Sequence, residues 1–216
     1  MGRLLVIEGL DGVGKSTLVR KLATMLSERG AKVADWSFPL YGTNPAADLA
    51  YAGLHGAAGD LGESVYGMAA LFALDRYAAR DALSRDLDEY DVVLVDRYVA
   101  SNAAYGAARL KQDAEGEFVH WVQDVEFEQH DLPTPFLQVL LHAPVHIAAS
   151  RAREREMLDH GKKRDDFESD HSLQERCAAV YDELAENSWI SPWLIVDGMA
   201  AIDEAELSGR LLAGLP

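Results

Sequence analysis

A single cysteine, Cys177, is the only thiol in 216 residues. One thiol cannot close a disulfide within the chain, which agrees with a reducing compartment and leaves a buried structural thiol as its expected role. Long hydrophobic runs are missing too. Nothing approaches the ~20 apolar residues of a membrane span, and the run Leu4 to Ile7 is far too short for the core of a signal peptide. Val6 stands where a myristoylation motif after Met1-Gly2 wants a hydroxyl residue. The expectation is a soluble, unexported, cytoplasmic protein with no membrane partner. Positive charge is scarce as well: 20 Lys and Arg stand against 36 Asp and Glu, a formal net charge of −16. Such a field opposes polyanions at long range and argues against a nucleic-acid partner. Small anionic ligands need only a local gathering of cations, and six of the twenty fall within residues 151–164.

An apolar fraction of 49% suits one domain with a filled core, and no linker, repeat or low-complexity segment divides the chain. Short apolar, β-branched runs at Leu4–Ile7, Lys32–Ser37, Val92–Val95, Leu137–Leu141 and Leu194–Val196 read as buried strands. Helical patterns lie between them: Ser16–Glu28, Glu63–Asp88, Val99–Lys111, Glu117–His130, Val145–Met157, Ser172–Asn187 and Asp203–Leu212. Alternation of this kind predicts an α/β protein with a central five-stranded parallel sheet covered on both faces, a three-layer architecture. Residues 38–60, rich in Gly, Pro and Ala, and the charged loop Leu158–Asp170 depart from the pattern.

Gly9-x-x-x-x-Gly14-Lys15-Ser16 follows the first strand and opens the first helix, the context a phosphate loop requires. Backbone N–H groups and the positive helix end face the phosphates, Lys15 reaches the β and γ oxygens, and the Ser16 hydroxyl can ligate magnesium. Asp11 is an addition to the basic pattern. A carboxylate there is costly unless it meets a cation or a hydroxyl, so it hints at magnesium or a sugar, or else is a turn-forming Asp before Gly. A guanine-reading N-K-x-D is absent, which disfavours a GTP switch. The third strand ends in Asp96-Arg97-Tyr98. A carboxylate at that strand end suits a magnesium-linked role, and an Arg able to grip a phosphate bidentately implies a second phosphate.

The segments G-L-D-G-V-G-K-S-T, F-P-L-Y-G, A-L-F-A-L-D-R and V-D-R-Y-V-A-S-N-A-A-Y, with an R-x-x-x-R helix before a basic loop, together resemble bacterial thymidylate kinases, most closely the actinobacterial enzymes. The similarity runs from Arg3 to about Leu194. It implies the P-loop nucleoside monophosphate kinase fold as one domain over 1–216, with a LID segment at about 149–166. It further implies Mg-ATP as donor, dTMP as acceptor and a homodimer. Gly9, Leu10, Asp11, Gly12, Val13, Gly14, Lys15, Ser16 and Thr17 would hold ATP, and Asp11, Ser16, Asp96 and Glu168 the metal.

For the acceptor, the resemblance points to Asp11, Phe38, Tyr41, Phe72, Arg76, Arg97, Asn102, Tyr105 and Asp165. Phe72 and Arg76 are four residues apart on one helix face. On spacing alone Phe72 reads as core and Arg76 as solvated; the resemblance reverses this, stacking the ring on thymine and directing the Arg at O4. Asn102 can donate and accept at the base edge, and Tyr105 would exclude a 2′-hydroxyl and join Asp11 at the 3′-hydroxyl. Leu40 replaces a residue that is often basic in relatives. Lys15, Asp11, Arg97, Arg151 and Arg155 are the expected catalytic set. Because Gly12 and Val13 leave the phosphate loop without the arginine some relatives carry there, the lid cations Arg151, Arg155, Lys162, Lys163 and Arg164 would compensate, with Lys162 standing where the resemblance implies an Arg. Another nucleoside monophosphate kinase, or a non-catalytic nucleotide sensor, are the competing readings.

Overall fold

The run Leu4-Leu5-Val6-Ile7 is buried along its whole length, which a strand achieves at the centre of a sheet covered on both faces. In the computed structural model, which describes residues 1–158 (side chains to Glu154), 170–200, 207 and 209, this run is strand β1, Arg3–Glu8. The strands that follow are β2 (Val33–Ser37), β3 (Val92–Asp96), β4 (Leu137–His142) and β5 (Trp193–Asp197). They form one parallel sheet in the order β2-β3-β1-β4-β5. Each lies within a residue or two of the span expected from sequence. In register, Asp96 pairs with Ile7 on one side and Ser37 on the other. The carboxyl ends of three strands therefore open side by side, where open α/β sheets hold ligands.

Among the described residues seven α-helices accompany the sheet: α1 (Lys15–Glu28), α2 (Pro45–Leu54), α3 (Val65–Glu89), α4 (Val99–Leu110), α5 (Glu117–Gln123), α6 (Val145–Leu158) and α7 (His171–Glu186). α1 buries Leu18, Val19, Leu22 and Leu26, one stripe of an amphipathic helix. α7 is capped by Asp170, whose carboxylate accepts from the Ser172 and Leu173 amides, and it buries Leu173, Cys177, Val180, Tyr181 and Leu184. Burial pushes the Cys177 thiol up, consistent with an unreactive structural role. α4 is unusual in composition: Ala100, Ala103, Ala104, Ala107 and Ala108 are all buried. These small side chains let its backbone approach α3, α5 and α7 closely, so the helix that follows Arg97 is clamped on several sides.

Three elements differ from the sequence expectation. The helix α2 lies within residues 38–60, where an Ala- and Gly-rich composition obscures periodicity; its start is marked by Asn44, which caps the Ala46 amide, and by Pro45 at the first helical position. The segment expected as a helix from Glu63 begins as a 3₁₀ turn at Gly59–Glu63 and becomes α-helical at Val65. The segment Glu117–His130 is α-helical only to Gln123 and continues as a π-helix over Asp124–Gln129. Most of the segment Asp203–Leu212 lies outside the described residues.

The seat of α4 generates a stability prediction. A Cβ placed on Gly106 would stand 2.0 Å from Phe118 Cε1 and 2.1 Å from Cζ, and Phe118 is fully buried. Gly106→Ala is expected to destabilise the fold by about 1–3 kcal/mol through overpacking, seen as a lowered thermal midpoint. An unchanged midpoint would show that α5 shifts away at no cost.

Candidate active site

The loop from Gly9 to Gly14 leaves the central strand β1 and turns into α1, so its position is set by the most buried part of the sheet. Lys15 folds back across it: Nζ donates to the carbonyls of Gly9 at 3.1 Å and Leu10 at 2.8 Å, with the side chain almost wholly buried. Burial, and then the like charge of Arg97, push the ammonium down to about 8, against the pull of Asp11, Asp96 and Glu8. Ser16 and Thr17 are exposed at the start of α1. Gly12 has φ 84, and a Cβ there would lie 2.2 Å from the Ala148 carbonyl oxygen of α6. That position has no space for a side chain, which is a physical reason for the loop's lack of an arginine. Arg151, on α6, reaches the loop from outside, donating from Nη1 to the Val13 carbonyl at 3.3 Å.

Asp11 joins this loop to the turn between β3 and α4. One carboxylate oxygen is paired with Arg97 Nη2, and the other accepts from Tyr105 Oη at 2.9 Å. Burial would raise the carboxyl, but the charges of Arg97 and Lys15 and the hydrogen bonds from Tyr105 and Arg97 outweigh it and hold it well below the usual carboxylate range. Burial, reinforced by Asp11, keeps the Tyr105 hydroxyl protonated and hence a donor. Arg97 Cζ also lies 5.6 Å from the Tyr105 ring centroid. Asp96, the preceding residue, has a buried Oδ1 with no hydrogen-bond partner among the described residues.

Arg97 takes φ 66, an uncommon conformation for a residue with a side chain. Its amide donates to Ile7 O at 3.0 Å. A residue that sequence reasoning missed holds the next peptide: Glu8, fully buried, accepts from the Tyr98 amide at 2.8 Å, Ser101 Oγ at 2.6 Å and Tyr181 Oη at 3.1 Å. The only sequence signal was a charged residue closing an apolar strand.

A second cluster forms on α3, α4 and the π-helix. Arg76 is buried, not solvated as spacing alone suggested, and donates from Nε at 2.5 Å and Nη2 at 2.7 Å to the two oxygens of Glu126. Asn102 Nδ2 donates to Glu126 Oε1 at 2.8 Å and to Ala69 O at 3.0 Å. Glu126 was not anticipated, because its partners lie 50 and 24 residues away and its place inside the protein depends on the π-helical turn. Phe72 is half-buried against Ala50, Leu54 and Met68. Phe38 is buried between Trp36 and Tyr98, with ring centroids 6.1 Å away in both cases. Tyr41 is 42% exposed and packs edge-on against Tyr51. The loop carrying both is tied to α3 by buried Asp75, which accepts from the Leu40 amide at 2.9 Å. The Arg155 side chain, Lys162, Lys163, Arg164, Asp165 and Glu168 lie outside the described residues.

Comparison with known proteins points to one family. A family model described as thymidylate kinase matches residues 7–206. The chain is 49% identical over 208 residues to the thymidylate kinase of Mycobacterium tuberculosis strain H37Rv, covering 96% of each chain. It is 31% identical over 162 residues to a probable thymidylate kinase of Caldivirga maquilingensis, covering 74% of this chain and 73% of the relative. It is 32% identical over 196 residues to the thymidylate kinase of Xanthomonas campestris pv. campestris strain B100, covering 85% of this chain and 72% of the relative.

The position of Lys15 predicts proton uptake when a triphosphate binds. Its ligand-free value of about 8 lies below the ordinary 10.5, so near pH 8 roughly half the side chains are neutral. Anionic oxygens favour the ammonium and raise that value, so protons are taken up at pH 8 and uptake fades below about pH 7. Calorimetric titration with Mg-ATP in buffers of different ionisation enthalpy measures this. A buffer-independent binding heat at pH 8 contradicts it.

Proposed function

The chain belongs to the thymidylate kinase family, and from that premise we propose that it transfers the γ-phosphoryl group of ATP to dTMP, giving dTDP and ADP. The observation that carries this reading is the Asp11–Arg97 pair, which sets an acceptor-side guanidinium beside the phosphate-loop lysine. Two fixed cations from different loops are more than a triphosphate alone requires. They suit a transfer in which an oxygen of the acceptor phosphate attacks the γ-phosphorus while its bond to the bridging oxygen of the departing ADP breaks.

In this reading Gly9 to Thr17 cradle the ATP phosphates and Lys15 leaves its carbonyl partners to meet the β and γ oxygens. Arg97 grips the acceptor phosphate. Asp11 and Tyr105 stand at the sugar, Arg76 and Asn102 at the edge of the base, and Phe72 on its face, with Phe38, Tyr41 and Asp165 along the rest of the acceptor. Arg151 and Arg155 act on the transferring group; support for this is the contact of Arg151 with the loop at Val13 and the absence of room for an arginine at position 12. Such cations work best on charge that develops during transfer.

Magnesium fits the residues. The unpartnered Oδ1 of Asp96 is an acceptor that a cation would satisfy, and the Ser16 hydroxyl is exposed at the head of α1. These two, with Asp11 and Glu168, would hold it; when bound it neutralises charge on the β and γ oxygens. A cytoplasmic homodimer completes the reading. No helix among the described residues is long and apolar enough to cross a membrane, and α3 exposes Tyr66, Leu74 and Tyr77 along one face, a surface suited to a second copy.

ADP release measured with each nucleoside and deoxynucleoside monophosphate in turn tests the proposal. dTMP should be turned over far faster than dCMP or UMP, and equal turnover, or none with any acceptor, overturns it. Lys15→Ala should lower kcat by at least ~10²-fold while the fold survives, because the transferring phosphoryl group loses a fixed cation. Near-normal turnover would mean that the loop does not hold the donor.

A further inference from the structure

We propose that Glu126 is the positioning residue that fixes the hydrogen-bond polarity of the Arg76–Asn102 pair and thereby makes the acceptor site prefer a thymine over a cytosine edge; this rests on the dTMP reading above. Glu126 is fully buried, and as a carboxylate facing a guanidinium it can only accept. Its two oxygens take Arg76 Nε and Nη2 in a bidentate pair. Its Oε1 also takes one Nδ2 hydrogen of Asn102, and Ala69 O takes the other.

Both donor hydrogens of Asn102 are thus consumed inside the protein. Turning the amide over would set Oδ1 against a carboxylate oxygen and a carbonyl oxygen at 2.8 and 3.0 Å, acceptor against acceptor. The amide therefore has one orientation, with Oδ1 as the group left for a ligand. Arg76 is constrained in the same way: with Nε and Nη2 committed to Glu126, Nη1 meets no acceptor among the described residues. What remains at this place is donor capacity from Arg76, the two Nη1 hydrogens and the second on Nη2, and one acceptor from Asn102. Both residues are buried, with residual exposures of 4% and 7%.

A thymine edge answers this pair, since O4 accepts and N3–H donates. A cytosine edge is reversed: its exocyclic amino group donates and its N3 accepts, so each contact would leave polar groups facing their own kind in a dry site. Sites built to meet a ligand's hydrogen bonds reject the mismatched analogue strongly. Discrimination is then set from behind the contact residues. The π-helical turn over Asp124–Gln129 presents Glu126 inward, and the sequence separation from Arg76 makes this a tertiary device.

Glu126→Gln, compared with Glu126→Asp, tests the assignment through the ratio of kcat/KM for dTMP to that for dCMP. A glutamine offers one acceptor and one donor. Its NH2 must then face Arg76 or Asn102, donor against donor, which breaks the fixed polarity of the pair, so the ratio should fall at least ~10-fold, mostly through a raised dTMP KM. Glu126→Asp stays acceptor-only and should keep the ratio within a few-fold of wild type even where both rates drop. A Glu126→Gln protein with the wild-type ratio, or one indistinguishable in ratio from Glu126→Asp, overturns the proposal. Should the glutamine variant fail to fold, the wild-type protein decides. The Asn102 side-chain amide signals, assigned by their loss in Asn102→Ser, should be protected without ligand and scarcely move on saturation with dTMP; large movement would show that Nδ2 meets the base. A wild type that does not prefer dTMP sinks the functional reading and this one with it. A wild type that does, beside a glutamine variant that still does, sinks the role of Glu126 alone.

Discussion

The ion pair between Asp11 and Arg97 joins two loops that the chain would otherwise leave independent, one leaving β1 and one leaving β3. Its value does not lie in stability. Removing two charges from water costs several kcal/mol per ion, and a close pair does little more than offset that. What the pair contributes is position: Asp11 takes Arg97 on one oxygen and Tyr105 on the other, so guanidinium, phenol and phosphate loop share one geometry. The Arg97 charge lowers Asp11 and, after burial, contributes to lowering Lys15, which Asp11 pulls back up. The resting site is therefore a set of mutually compensating charges awaiting an anion.

The fold supplies the rigidity this arrangement needs. Strands β1 and β3 lie next to each other in register, so the residues after Glu8 and after Asp96 emerge together at the sheet's edge. Arg97 sits in a backbone conformation that costs of order 1 kcal/mol for a side-chain-bearing residue. The three hydrogen bonds received by Glu8 link β1 to α4 and α7 and hold that turn in place. The alanine-lined α4 continues from there, carrying Asn102 and Tyr105 one turn apart on a helix clamped by its neighbours. Position 12 is closed by α6, which leaves no room there for a cationic side chain.

Much of this was legible in the sequence because it is local. The five strands are apolar runs, the phosphate loop is a spacing, and Asp96-Arg97 follows a strand end. What escaped was non-local. Glu8 gave no sign beyond ending a strand, and its partners lie 90, 93 and 173 residues away. Arg76 read as solvated until a family resemblance suggested otherwise, since no periodicity announces a buried carboxylate 50 residues on. Glu126 faces inward because a helix widens into a π-turn, a change of pitch that apolar spacing does not encode. The helix α2 escaped for the opposite reason, its alanines being equally at home on both faces. Hydrophobic patterning located the scaffold, and the polar network that makes it a site became visible only in three dimensions.

The claim at the centre of this account is that Asp11 and Arg97 act as one unit, and a double-mutant cycle on kcat/KM for dTMP tests it most directly. Asp11→Asn, Arg97→Gln and the double variant should be compared with wild type under identical conditions, with folding checked by thermal melts. If the pair is a unit, either single change already removes what the other residue needs, and the double variant should lose little more than the worse single one, a coupling of about 1–3 kcal/mol. Losses that simply multiply would show two residues acting independently, and would contradict the account.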